Sequence, residues 1–286
     1  MRRRLIANLV LAVSVAALAA VLMLTPEPVP ETPPPLTALV PENIRSIRVE
    51  RANAVPMSFE RRDRNWVMTA PVSAPAYPAR IASVLGLLSE PSHAQLAIAA
   101  GDLARFKLDT PEVRLFLDRN EFAFGDTDPL EERRYLLNAG HVHLIADTLF
   151  FQLTQNPGFF IDPKLLPGGA PPKRIAYPRF TLVEDNGSWR QEPDAGLTAD
   201  KAKDISLNWE TARAITVRTP IEGASPDHVV IESAAGPAVQ FDILVRDGNV
   251  ILGRADLNVQ YHLDHYTAEL LLLKEKSAAP ETGGDQ

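Results

Sequence analysis

An α+β fold is predicted: an N-terminal transmembrane helix followed by two similar lobes, each of mostly antiparallel sheet with one or two helices. Three observations predict it. Short runs of alternating apolar and polar residues dominate the chain, an order of hairpin, helix, strands and closing helix occurs twice, and a breaker-rich link separates the two occurrences.

The chain opens with Arg2, Arg3 and Arg4 and then runs from Leu5 to Leu24 without a charge. These twenty uncharged residues, polar only at Asn8 and Ser14, match the thickness of one bilayer. Ala17-Leu18-Ala19 has the small-x-small form of a signal-peptidase site, but the apolar run continues past it through Val21, Leu22, Met23 and Leu24, so residues 1–24 are read as a retained anchor. Arginines before the span and no basic residue just after it place the N-terminus in the cytoplasm. The expectation is a single-pass protein of the bacterial inner membrane with its C-terminal domain in the periplasm.

Residues 25–43 carry repeated prolines and no basic residue, which predicts a stiff spacer, because each proline fixes φ and removes a donor. In polyproline geometry, at about 3 Å per residue, Thr25 to Pro35 would hold the globular part about 30 Å from the bilayer. The chain has no cysteine, which excludes disulfides, thiolate metal sites and a lipid-modified cysteine anchor. The three arginines before residue 25 belong to the anchor, so a net charge of −7 for the whole chain becomes −10 for the rest. Nucleic acid and anionic lipid are poor partners for such a charge.

The first lobe is placed at residues 44–166. Strands are expected at Ser46–Glu50, Met57–Arg61, Trp66–Met68, Val113–Leu117, Phe122–Phe124 and His141–Ile145, from period-two alternation with β-branched and aromatic residues. Pro78 to Leu88 carries Ile81, Val84, Leu85 and Leu88 at helical spacing, with Pro78 suited to start the helix. A second helix is expected from Asp147, with Leu149, Phe150 and Leu153 facing inward.

The second lobe, residues 173–276, repeats the order. Phe180–Glu184 is followed by Trp189, at a point matching Trp66, and then by a helix capped by Thr198 with Ala202, Ile205 and Trp209 on one face. Strands are expected at Ala214–Arg218, Val229–Glu232, Val239–Val245, Val250–Leu252 and Val259–Leu263, and a final helix after Asp264 with Tyr266, Leu270 and Leu273. Val142–Asp147 and Val259–Asp264 correspond, each a strand ending in an aspartate ahead of an apolar helix. The link Leu166–Pro172 is rich in breakers, with Gly168-Gly169 read as a hinge, and residues 277–286 are read as a disordered tail.

Phe106-Lys107-Leu108-Asp109-Thr110-Pro111, then Phe122-Ala123-Phe124-Gly125-Asp126, Arg134-Tyr135-Leu136 and Val142-His143-Leu144-Ile145 resemble the domain of unknown function 4340 family. Asn65-Trp66-Val67-Met68-Thr69-Ala70-Pro71 is similar to that family's tryptophan-proline stretch. The resemblance covers Ile44 to Pro167 well and the second half more loosely. It departs at Lys107, where the family usually has glycine. The resemblance implies a membrane-anchored extracytoplasmic protein without an established activity, whose relatives often accompany ABC-type transport or gliding-related membrane components. It supplies no catalytic residue.

The residues that could carry chemistry divide into small groups. His141 and His143 sit two apart on a strand and so point to one face, as a metal pair would need, but no third ligand is placed beside them. His262 and His265 flank Asp264 at a strand-to-helix junction, where a capping aspartate with two ordinary histidines is the simpler reading. Asp126, Asp128, Glu131 and Glu132 share one loop that lacks the glycine-centred form of a calcium hand, and Arg133 and Arg134 follow it, which reads as a solvated turn. Trp66, Trp189 and Trp209 could stack on a sugar or peptide, although their positions suit core packing. Asn186-Gly187-Ser188 reads as a turn. With no Gly-x-Ser-x-Gly elbow, no phosphate-binding glycine motif and no cysteine, no catalytic, cofactor-binding or metal residue is assigned.

Three functional readings remain open. The first is a non-enzymatic scaffold or accessory subunit that binds an inner-membrane protein, such as an ABC-type transporter component or an envelope-assembly protein. The second is a module that binds an envelope glycan or lipid in a groove between the lobes around Leu166 to Lys173. The third is an enzyme using Asp126 and Asp128 or His141 and His143.

Overall fold

The computed structural model describes residues 34–97, 100–166, 171–234, 236–246 and 249–272, together with positions 2, 6 and 12–16, which are helical. Most of the apolar run 5–24, residues 25–33 of the spacer, Gly168-Gly169 and the tail 277–286 lie outside the described residues. No described helix is long and apolar enough to cross a membrane.

The alternating runs form strands β1 (Ser46–Arg51), β2 (Ala54–Arg62), β3 (Asn65–Ala70), β4 (Ala74–Pro75), β5 (Ala94–Ala97), β6 (Val113–Leu117), β7 (Asn120–Thr127), β8 (Arg133–Asn138) and β9 (His141–Ala146), with helices α1 (Pro78–Gly86) and α2 (Phe150–Leu153). These strands build one sheet in the order β4-β3-β2-β1-β6-β7-β8-β9-β5. The later chain gives β10 (Pro172–Ala176), β11 (Thr181–Asp185), β12 (Ser188–Glu192), helix α3 (Ala199–Thr211), β13 (Thr216–Arg218), β14 (His228–Ser233), β15 (Val239–Arg246), β16 (Asn249–Arg254), β17 (Val259–His262) and helix α4 (His265–Leu272). They build a second sheet in the order β12-β11-β10-β14-β15-β16-β17-β13.

The second order is the first with β4 removed. Matching β1 to β10, β2 to β11, β3 to β12, β5 to β13 and β6–β9 to β14–β17 reproduces every neighbour in the sheet. The twofold repeat is therefore a repeat of topology, and the two tryptophans mark it. Trp66 pairs with Arg61 and Trp189 with Glu184, each one residue into the strand after a tight turn. Asn186 and Gly187 take φ of 50° and 86° at the second of these turns, the left-handed pair that a two-residue hairpin requires.

Several expectations need correction. Asp147 does not cap a helix: α2 is a single turn with Leu149 at its N-cap, and the Asp147 carboxylate instead takes both guanidinium hydrogen bonds of Arg134 at 2.7 Å. Helix α4 is capped as expected, with Asp264 accepting from the Thr267 N–H and hydroxyl, but its buried residues are Ala268 and Leu271. Tyr266 is 69% exposed. Leu273 lies outside the described residues. The link assigned to breakers ends where strand β10 begins, at Pro172, and β10 lies between β11 and β14. The spacer ends earlier than residue 43: Ser92 donates to the Pro34 carbonyl, Leu36 donates to Glu90, and Leu36 is buried. At Lys107, φ is 54°, the left-handed conformation in which glycine carries no steric penalty, here adopted by a lysine.

One continuous core joins the sheets. It includes Phe59, Phe122 and Phe124 from the first lobe, Phe160 and Leu165 at the junction, and Trp209, Phe241 and Tyr261 from the second. A smaller cluster of Leu108, Ala123 and Val142 covers the opposite face of the first sheet, with Leu103 and Phe106 packed on it.

Candidate functional site

The histidines do not meet as ligands. His141 is exposed, whereas His143 is buried and shares a 2.9 Å hydrogen bond between its Nδ1 and the Ser92 hydroxyl. Their ring centres are 6.4 Å apart, and no group of three metal-ligating side chains exists among the described residues. Burial, helped by the neighbouring His141, lowers the affinity of His143 for a proton below that of an ordinary histidine. The unfolded chain then binds this proton more readily than the folded one, so His143 costs nothing above a pH of about 6.5 and destabilises the fold as the pH falls below it. Thermal unfolding should show a lower midpoint at pH 5.5 than at pH 7.5. His143→Gln should narrow that gap, and an identical gap in wild type and variant would refute the assignment.

The acidic loop between β7 and β8 satisfies itself. Asp128 accepts from the Leu130 and Glu131 N–H groups and from the Tyr135 hydroxyl, and Asp126 pairs with Lys107 at 2.7 Å. Hydrogen bonds from Lys107 and Thr127 hold Asp126 below the usual carboxylate range, and the Glu131 N–H leads the same effect on Asp128. Arg133 turns to Glu131, while Arg134 leaves the cluster for Asp147 and the Gly125 carbonyl, with its guanidinium 3.6 Å from the Phe150 ring centre. His265 pairs with Glu269 on α4, and His262 lies in β17, so the conceived trio around Asp264 is a helix cap with a surface pair. Trp189 and Trp209 are buried and Trp66 is half-buried against the same core.

The feature that sequence spacing did not reveal is the joint between the lobes. Residues 160–165 bond through their backbone to both sides. Tyr77 donates to Phe160 at 2.7 Å and Asp162 donates to Pro75 at 2.9 Å on the first lobe. Leu165 donates to Ala212 at 3.2 Å and Ala214 to Pro163 at 2.9 Å on the second. Gly158 sits so close to β13 that a Cβ there would lie 2.0 Å from the Val217 carbonyl oxygen. No side-chain periodicity encodes such a strand, because its bonds are long-range backbone bonds.

Beside this joint lies a cavity of about 580 Å³. Its rim comes from Tyr77 and Arg80 at the start of α1, Gln155 to Phe159 after α2, and Arg213 to Val217 leading into β13. Arg80 stacks on Phe159 with 3.9 Å to the ring centre, and Arg213 lies 5.5 Å from the centre of Tyr77. The groove expected around Leu166 to Lys173 is not formed by the described residues of that stretch. Leu166 is buried in the shared core, and Lys173 belongs to β10, paired with Glu184. Arg80 and Arg213 were not singled out from the sequence, since four separate stretches converge here and neither arginine sits in a motif.

The comparisons with known proteins now bear on identity. Neither a curated protein nor a solved structure matches the chain. The family described as Domain of unknown function (DUF4340) matches residues 66–222. The matched stretch starts in β3, crosses the joint and ends beyond β13, so it includes parts of both lobes and the segment that bonds them. A match over more than half of its length places the chain in the DUF4340 family.

Proposed function

We propose that this chain is a non-enzymatic scaffold or accessory subunit, tethered through residues 1–24, that docks an inner-membrane protein of a transport or envelope-assembly complex from the periplasmic side. The observation that carries this reading is the joint: two copies of one topology share a core and a backbone-bonded strand, which makes a rigid two-lobed body. Phe151 and Ile215 stand near that joint at 70% and 68% exposure, the kind of apolar side chain that protein docking covers. The residues that could have carried hydrolytic or metal chemistry are engaged in turns, caps and surface pairs. Crosslinking in intact cells, followed by purification through a C-terminal tag and mass spectrometry, should recover integral transport or envelope-assembly subunits. Recovery of this chain alone, under conditions that capture a known envelope complex, would refute the reading.

The cavity favours a second reading, a module for a small envelope ligand. A thermal-shift screen against envelope glycan and lipid fractions should then raise the unfolding midpoint, and no response to any fraction would end it.

A further inference from the structure

We infer that the cavity beside the joint is a binding site for an extended acidic peptide, whose carboxylate side chain is gripped by Arg80 and Arg213. The site is legible in its charge. No aspartate or glutamate lines the cavity, whereas two arginines do, in a chain whose net charge outside the anchor is −10. Charge alone would predict that this body repels acidic segments, so a cavity of the opposite sign selects for them locally.

The state of the two arginines fits recognition better than structural pairing. The Arg80 guanidinium carbon lies over the Phe159 ring, 3.9 Å from its centre, and 6.0 Å from the centre of Tyr77, and among the described residues no carboxylate pairs with it. A guanidinium with no carboxylate partner keeps N–H groups that can match an incoming carboxylate in two parallel bonds. Arg213 is anchored from behind by Asp162 at 3.5 Å, a long contact, and its side chain is 41% exposed. Asp162 is itself engaged by the Lys164 N–H, so it leaves Arg213 partly available. The two guanidinium carbons lie 6.0 Å and 5.5 Å from the centre of the single Tyr77 ring.

The rest of the lining fits a peptide better than a bare anion. Phe159, Pro163 and Ile215 offer apolar contact, and Gln155 and Asn156 supply amides that can both donate to and accept from a peptide backbone. An inorganic anion would use the arginines and leave this apolar surface uncovered. The occupant is therefore a segment alternating acidic and apolar side chains. That the segment belongs to the membrane partner rests on the scaffold reading above; the site itself does not.

The test uses the full chain in non-ionic detergent and a fluorescein-labelled peptide of alternating aspartate and leucine, read by anisotropy. Binding is expected, weakened by added salt and by about tenfold or more in both Arg80→Gln and Arg213→Gln, and unchanged in Arg190→Gln, an exposed arginine on strand β12 that does not line the cavity. Equal binding of the asparagine-leucine peptide, or unaltered binding in both groove variants, would overturn the site. Displacement of the peptide by equimolar inorganic phosphate would also overturn it, in favour of a simple anion site. Repeating the cellular crosslinking with the double variant separates the two proposals. Loss of the captured partner assigns the peptide to that partner. Retention of the partner by a variant that no longer binds the peptide refutes the assignment and leaves the scaffold reading standing.

Discussion

Trp209→Ala should destabilise the chain by about 3–5 kcal/mol, the range for emptying a fully buried aromatic site. Trp209 is 0% exposed on α3, tilted against Phe241 at 5.5 Å between ring centres, and Phe241 in turn meets Tyr261 edge-on at 6.2 Å. Its indole Nε1–H donates to the Tyr177 hydroxyl at 2.9 Å, and that hydroxyl donates to the Leu271 carbonyl at 2.6 Å. One polar chain thus crosses from α3 through the residue just after β10 to α4. Burial pushes the Tyr177 phenol well above its ordinary range, which keeps it a neutral donor at any physiological pH. Truncation removes ring volume that rigid neighbours cannot refill and also strips one partner from the Tyr177 hydroxyl. In urea unfolding of the purified chain the midpoint should fall with an unchanged slope, because a local cavity alters stability more than the surface exposed on unfolding. Trp209→Phe, which keeps an aromatic body and loses the donor, should cost less than the alanine variant. A loss below about 1 kcal/mol for Trp209→Ala would mean that the site collapses freely.

How much of this was legible in the sequence depends on the kind of bond involved. Helix α3 could be read residue by residue: Thr198 accepts from the Lys201 N–H, and Ala202, Ile205 and Trp209 are its buried stripe. Apolar periodicity and a capping hydroxyl are local signals, and nothing tertiary overrides them here. Helix α4 carries apolar residues on more than one face, with Tyr266 exposed and Leu271 buried, so the run Tyr266 to Leu272 does not fix its own rotation. Packing of Ala268 and Leu271 against the core decides it. Strand β5 was missed for a related reason. Ala94-Gln95-Leu96-Ala97 has no strand propensity worth the name, and its extended form comes from pairing with His141–Leu144. Asp147 misled because aspartate before an apolar run signals a cap, yet a buried arginine thirteen residues earlier in the chain competes for the same carboxylate and wins it. The chemistry-bearing residues that sequence could name were turn and cap residues. Those that line the cavity come from α1, the segment after α2 and the approach to β13, a convergence that only the folded joint creates.

That joint should fail most sharply at Gly158. A methyl group there would sit 2.0 Å from the Val217 carbonyl oxygen, 2.6 Å from its carbon and 3.1 Å from the Arg218 Cα. All three atoms are backbone, and β13 is held against β17 by the pairing of Val217 with Tyr261, so no rotamer change can make room. The turn Pro157–Phe160 must move instead. It carries Phe160, 0% exposed and edge-on to Phe59 at 5.6 Å, and its carbonyl accepts the Tyr77 N–H. Displacing it therefore disturbs the first lobe as well as the contact with the second. Gly158→Ala is expected to cost about 3 kcal/mol or more, at the upper end for overpacking, since backbone rather than side chain must yield. Gly86→Ala is the matched control. Its Cβ would meet nothing within 4 Å at the end of α1, so it should be neutral or stabilising by up to about 1 kcal/mol. The shape of the transition carries the larger consequence. With one shared core, the wild-type lobes should unfold together, whereas Gly158→Ala should separate them into two steps, resolved in a Trp66→Phe background by tryptophan fluorescence for the lobe with Trp189 and Trp209 and by hydrogen exchange for the first sheet. A single transition within about 0.5 kcal/mol of wild type would show that the close approach of Gly158 to β13 does not hold the lobes together.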